Sequence, residues 1–108
     1  MVDTSVIESV KKYLALLKAE GLDVSFGVLF GSFARGEADK WSDIDLLVVS
    51  PRFDEAYGRD DVDRLWIAVA KSDNRIEPIP CGKLQWAEDD ARAIVEFARR
   101  EGLMIEAA

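Results

Sequence analysis

Two carboxylates, Asp43 and Asp45, stand two residues apart in the run Asp43-Ile44-Asp45-Leu46-Leu47-Val48-Val49. A run this apolar reads as a strand, in which alternate residues share a face. Both acids then point the same way with their α-carbons about 6.7 Å apart. Ile44, Leu46 and Val48 alternate to the opposite face and supply the buried anchoring. Carboxylates this close repel unless a cation or water lies between them. Hard oxygen donors at this spacing suit Mg²⁺, which binds through one or two carboxylates and takes its remaining ligands from water and substrate phosphates. Taken alone, such a pair is more often a solvated strand face than a metal site; its surroundings change those odds.

Upstream lies Gly31-Ser32-Phe33-Ala34-Arg35-Gly36, where a strand turns into the start of a helix. Backbone N–H groups at such a start have no intrahelical partner and favour phosphate oxygens. Gly31 permits close approach, the Ser32 hydroxyl can donate to a phosphate, and Arg35 can add a charge-assisted contact. A third carboxylate, Glu77, falls on another expected strand, Arg75 to Pro80. Beside the Asp43–Asp45 strand it would stand about 4.8 Å away in the pairing direction. There it could activate an attacking hydroxyl or complete a second metal site, in the manner of two-metal in-line displacement. A phosphate-cradling turn and a metal-binding acidic strand together describe a nucleoside triphosphate site. Lys40, Arg52 and Lys83 are further candidate phosphate contacts.

The elements that must position these residues follow from periodicity. Ile7, Val10, Leu14 and Leu17 recur at helical spacing and predict a helix over 4–20. Ser5 and Glu8 have capping-box spacing, with Asp3 or Thr4 as alternative caps, and Gly21 is placed to end the helix. Val24 to Phe30 reads as a strand buried on both faces. The acidic strand follows and stops at Pro51. A helix is expected over 61–71 with Val62, Leu65, Trp66 and Val69 on one face. The third strand carries Pro78 and Pro80, which place it at a sheet edge because proline cannot donate to a ladder. A last helix is expected over 86–101, striped by Ala91, Ile94, Val95 and Ala98. Leu103 to Ile105 then adds a short strand or docks on the core. Phe33 and Trp41 read as packing residues able to stack on a base, and Trp66 and Trp86 as core.

Composition narrows the functions. The chain has 108 residues, 14 Lys+Arg against 21 Asp+Glu, a net charge of −7 and no histidine. That length makes one domain, 1–108, burying about two thirds of its unfolded surface. The absence of histidine excludes His-based triads and His-ligated zinc. The acidic balance disfavours direct nucleic-acid binding, which needs Lys and Arg at phosphates. A lone cysteine, Cys81, fits a reducing compartment and, with no histidine to deprotonate it, reads as inert. Apolar runs are too short for a membrane span, and the N-terminus has no basic n-region. A cytoplasmic protein is expected.

Gly31-Ser32-Phe33-Ala34-Arg35-Gly36-Glu37 followed by Trp41-Ser42-Asp43-Ile44-Asp45-Leu46 resembles the signature of the polymerase-beta-like nucleotidyltransferase superfamily, and the short chain resembles its minimal nucleotidyltransferase (MNT) domains. The resemblance implies an α/β (α+β) nucleotidyltransferase fold, with a small mixed three-stranded sheet in the order 1-2-3 packed with helices. It implies Mg²⁺ held by Asp43 and Asp45, the triphosphate of ATP near Gly31 and Ser32, and a third acid on strand three, by position Glu77. Many relatives have Asp there, and Phe33 stands where relatives often have a polar or basic residue. The minimal family also resembles the antitoxin halves of HEPN/MNT toxin–antitoxin pairs, implying transfer of AMP from ATP to a hydroxyl, typically of a tyrosine, on a HEPN toxin. Exposed apolar patches on the final helix or tail would dock that partner. The alternative is a catalytically weak binding module that neutralises or assembles with a partner protein. A small-molecule nucleotidyltransferase is disfavoured because the chain leaves no room for a helical acceptor-binding region.

Overall fold

The computed structural model describes residues 4–38, 42–88 and 92–106. Asp3, Lys40, Trp41 and Ala91, each given a role above, lie outside the described residues. Helix α1 spans Thr4–Ala19 and buries Val6, Val10, Tyr13, Leu14 and Leu17. Ser5 therefore sits in its first turn and not at its cap. Gly21, at φ 102°, closes the helix. Its N–H donates to the Lys18 carbonyl and that of Leu22 to the Leu17 carbonyl, both at 3.0 Å, the paired closure that a left-handed residue after a helix permits.

Strand β1 (Phe26–Phe30) leads into a single helical turn, α2 (Ser32–Arg35), and then to β2 (Ile44–Val49). A 3₁₀ turn at Pro51–Asp54 precedes α3 (Arg59–Ala70), which crosses over to β3 (Ile76–Cys81). The chain ends with α4 (Lys83–Glu88), α5 (Ala93–Glu101) and β4 (Leu103–Ile105). The single helix expected over 86–101 is thus two described helices, with Trp86 in the first.

The sheet has the order β3-β2-β1-β4. β1 pairs antiparallel with both β2 and β4, and β2 pairs parallel with β3. The expected 1-2-3 order holds, but the expected three-stranded sheet gains a fourth member on the free side of β1. That strand is the tail Leu103–Ile105, which takes the first of its two expected outcomes, and its register is fixed by Gly27↔Ile105. β3 takes the opposite edge. Pro78 and Pro80 lie on it without breaking an inner ladder.

Alternation along the strands builds two cores, one on each face. Leu29, Ile44, Leu46, Val48, Ile76 and Ile105 pack with α1 and α3. Val28, Phe30, Leu47, Val49 and Cys81 pack with Val95 and Ala98 of α5. The odd-numbered positions of β2 that reach this second core at Leu47 and Val49 include Asp45. The anchoring expected of Ile44, Leu46 and Val48 is therefore present, opposite the acids.

Trp66 is not in the core; it is 47% exposed, and Ile67 beside it is 54% exposed. α3 buries Leu65, Ala68 and Val69, a stripe at i, i+3 and i+4 that turns position 66 outward. The buried Tyr13 hydroxyl donates to the Leu65 carbonyl at 2.8 Å and ties α1 to α3 at this contact. Trp86 is half-buried and meets Phe26 edge-on, with ring centroids 5.8 Å apart. No helix among the described residues is long and apolar enough to cross a membrane.

The phase of α3 makes a direct prediction. Leu65→Ala lowers unfolding free energy by about 2–5 kcal/mol because it opens a cavity between α1 and α3. Trp66→Ala, despite removing the larger side chain, changes it by only about 0.5 kcal/mol. Urea denaturation of the two variants tests the contrast.

Candidate functional site

Register alone brings the acids together. Asp45 pairs with Phe30, the last residue of β1, and on its other side with Glu77 of β3. Asp43 lies just before β2 and is exposed. Adjacent strands stand about 4.8 Å apart, so Asp45 and Glu77 occupy neighbouring positions on one face, as the alternation argument requires. Asp45 is half-buried and Glu77 exposed.

Gly31 follows Phe30 with φ 76° and ψ −152°. This conformation excludes most side chains. A second constraint acts at the same atom, since a Cβ on Gly31 would collide with the Asp45 carboxylate at Oδ2. The turn and the acidic strand are therefore in van der Waals register. Past Gly31 the chain makes the single turn α2, in which Arg35 N–H donates to the Gly31 carbonyl at 3.1 Å and Glu37 N–H to the Ser32 carbonyl at 2.9 Å. The first N–H groups of such a turn point off its N-terminal end. Phe33 and Ala34 pack on the α1/α3 core and hold the turn down.

The acids perturb one another. The Asp45 carboxyl is raised above the ordinary aspartate value by desolvation first and by the charge of Asp43 second; its hydrogen bond with Glu77 and the charge of Arg35 pull the other way. The Glu77 carboxyl is also raised, by desolvation, by the charges of Asp43 and Asp45, and by hydrogen bonds to both. Hydrogen bonds thus join Glu77 to both aspartates. Arg35, which supplies positive charge here, donates from Nε to Glu37 Oε2 at 3.1 Å.

Among the described residues no three acidic side chains form a closed metal cage. The donor set, hard oxygens within hydrogen-bonding reach and repelling one another, nevertheless fits a cation that needs only one or two carboxylates and completes its shell with water and phosphate. Asp43 and Asp45 would hold it, with Glu77 alongside.

Other candidates separate by topology. Arg52 and Lys83 follow the C-terminal ends of β2 and β3, whereas the acids lie at the N-terminal ends, so neither reaches the Gly31 turn. Arg52 is bound instead to Asp61 Oδ2 at 3.1 Å, and the start of α4 is occupied by the Asp54 carboxylate, which accepts from Leu84 N–H at 3.0 Å. Cys81 is buried. A small depression lined by Leu17, Glu20, Leu22, Asp61 and Arg64 lies at the end of α1, away from the acids. One pair that sequence reasoning did not single out is Asp73 and Arg75. Arg75 donates to Asp73 through Nε at 3.1 Å and Nη2 at 2.8 Å, and its Cζ lies 5.7 Å from the centroid of the Phe33 ring. The available signal was an Asp-x-Arg turn just ahead of the strand that carries Glu77.

A family model described as a nucleotidyltransferase domain matches residues 8–100. Among solved structures, the chain is similar to a candidate nucleotidyltransferase from Sulfolobus solfataricus, with a TM-score of 0.67 and 16% identity over 91% of this chain and 77% of the other. At that identity the likeness shows the fold. No curated protein matches the chain.

Two predictions come from this geometry. Both raised carboxyls bind protons more tightly folded than unfolded, so the stability they contribute is complete at low pH. It is lost as pH rises through and beyond the ordinary carboxylate range. At pH 7–8 the metal-free protein accordingly carries unrelieved repulsion. Millimolar Mg²⁺ or Mn²⁺ is expected to raise its thermal midpoint, whereas Asp43→Asn/Asp45→Asn raises the metal-free midpoint and abolishes the response. Gly31→Ala, which meets both the left-handed backbone and the Asp45 carboxylate, is expected to cost about 1–2 kcal/mol in urea denaturation and to weaken the metal response.

Proposed function

The chain belongs to the nucleotidyltransferase domain family, and from that premise we propose that it is a Mg²⁺-dependent protein adenylyltransferase. It transfers AMP from ATP to a hydroxyl, in this reading a tyrosine, of a partner HEPN toxin, and so acts as an antitoxin in the cytoplasm. The single observation that carries the catalytic reading is the Asp45–Glu77 register beside Gly31.

In this reading Asp43 and Asp45 would hold the cation, which would supply positive charge to the triphosphate and the leaving group. The N–H groups at the start of α2 and the Ser32 hydroxyl bind phosphate oxygens, and Arg35 adds positive charge at the same end. The acceptor hydroxyl oxygen forms a bond to the α-phosphorus of ATP, the bond from that phosphorus to the bridging oxygen of the β-phosphate breaks, and pyrophosphate leaves. The hydroxyl proton passes to a carboxylate of the acidic group. Glu77 suits this role because its carboxyl is raised towards the pH at which proton transfer is efficient.

The partner assignment rests on the resemblance to minimal nucleotidyltransferase antitoxins. It is supported by the net charge of −7, which complements a toxin that is basic because it binds RNA. Leu103 and Met104 of β4, both exposed, supply apolar surface on the tail. The exposure of Glu77 and the lack of a closed cage among the described residues favour a second reading, a binding module that neutralises its partner with little catalysis.

The test is incubation with α-labelled ATP, Mg²⁺ and a HEPN protein encoded by a neighbouring gene. The label is expected on the HEPN protein, falling at least about a hundredfold with Asp45→Asn. No transfer, together with toxin neutralisation in cells that survives Asp43→Asn/Asp45→Asn, would establish the binding module instead.

A further inference from the structure

A four-residue helix has too few hydrogen bonds to hold itself, and α2 buries none of its residues fully. Yet the proposed phosphate contacts at Gly31, Ser32 and Arg35 depend on where that turn sits. Packing of Phe33 and Ala34 on the core fixes one side of it. On another side the Arg75 guanidinium lies over the Phe33 ring, 5.7 Å from its centroid.

The guanidinium is itself held. Asp73 accepts from Arg75 Nε and Nη2 through its two oxygens, at 3.1 and 2.8 Å, a two-point fork that a lysine cannot make. The same Asp73 Oδ1 accepts the Arg75 backbone N–H at 3.0 Å. The Arg75 carbonyl accepts the Ile44 N–H at 2.7 Å, so the residue is anchored between Asp43 and Asp45 on one side and two positions ahead of Glu77 on the other. Asp73 is further tied to Ser9 of α1 by a side-chain hydrogen bond. A continuous line of contacts thus runs from α1 through Asp73 and Arg75 to Phe33 and the phosphate turn.

We propose that Arg75 is a positioning residue for nucleotide binding: clamped by Asp73 and stacked on Phe33, it sets the pose of the Gly31–Arg35 turn relative to the acidic strand ends. The proposal rests on the nucleotidyltransferase reading of this site. It also gives the aromatic at position 33 a role. Phe33 offers a face for a cation and does not itself bind phosphate.

The test uses the full chain and two readouts. Amide hydrogen exchange reports the turn without any nucleotide: Arg75→Ala is expected to speed exchange at Arg35, Gly36 and Glu37 roughly fivefold or more, the size of loss expected for one cation–π contact. Calorimetric titration with Mg²⁺ and ATP reports the consequence: affinity falls by a similar factor in Arg75→Ala and in Phe33→Leu, which keeps apolar packing but removes the ring. The double variant is no worse than either single one, because both break the same contact. Arg75→Lys recovers only a minor part. Exchange unchanged in Arg75→Ala overturns the proposal, as does faster exchange with nucleotide affinity intact, which would make the contact purely structural. A wild-type chain that binds no nucleotide overturns the functional reading and this role with it; the wild-type arm distinguishes that failure from failure of the inference alone.

Discussion

Repulsion between carboxylates fixed at neighbouring positions of a parallel strand pair is the constraint around which this small fold is arranged. Asp45 and Glu77 cannot move apart without breaking the β2–β3 ladder, in which six residue pairs run from Ile44↔Ile76 to Val49↔Cys81. Their mutual repulsion is tolerated because the strands beneath them are packed on both faces. The hydrophobic cores hold in place an arrangement that electrostatics alone would disperse. A cation or a proton is the natural relief, and the Glu77 carboxyl, raised by desolvation and then by the charges of both aspartates, shifts in the direction that this predicts.

The glycine turn belongs to the same constraint. The backbone of Gly31 and the carboxylate of Asp45 occupy adjoining space, with no allowance for a side chain between them. The backbone proposed to face phosphate and the carboxylate proposed to face metal are thereby placed side by side. On the proposed function, that adjacency would favour a metal-bound phosphate over a metal or a phosphate singly.

Much of this was legible in the amino-acid order because it depends on short-range regularities. The two-residue period of a strand places Asp43 and Asp45 together, and prolines at 78 and 80 mark an edge. What stayed hidden depends on distant contacts. Trp66 looked like core by its chemistry, but the phase of α3 is set by Leu65, Ala68 and Val69 and by the Tyr13 bond. For Leu103 to Ile105 the sequence leaves a short strand or a docked tail open, and only the free edge of β1 decides for the strand. Arg52 and Lys83 carry the right charge for phosphate, and only the strand direction reveals that they lie at the wrong end. The Asp73–Arg75–Phe33 line joins residues forty positions or so apart, beyond the reach of any local rule.

The parallel pairing of β2 and β3 has an outcome of its own. Strands that run the same way cannot be joined by a hairpin, so the chain must travel through the whole of α3 before Glu77 arrives beside Asp45. A nascent or truncated polypeptide ending before that crossover carries the glycine turn and both aspartates yet lacks the third acid. Assembly of the acidic group is thereby coupled to completion of the fold, and a partly made protein cannot display it early.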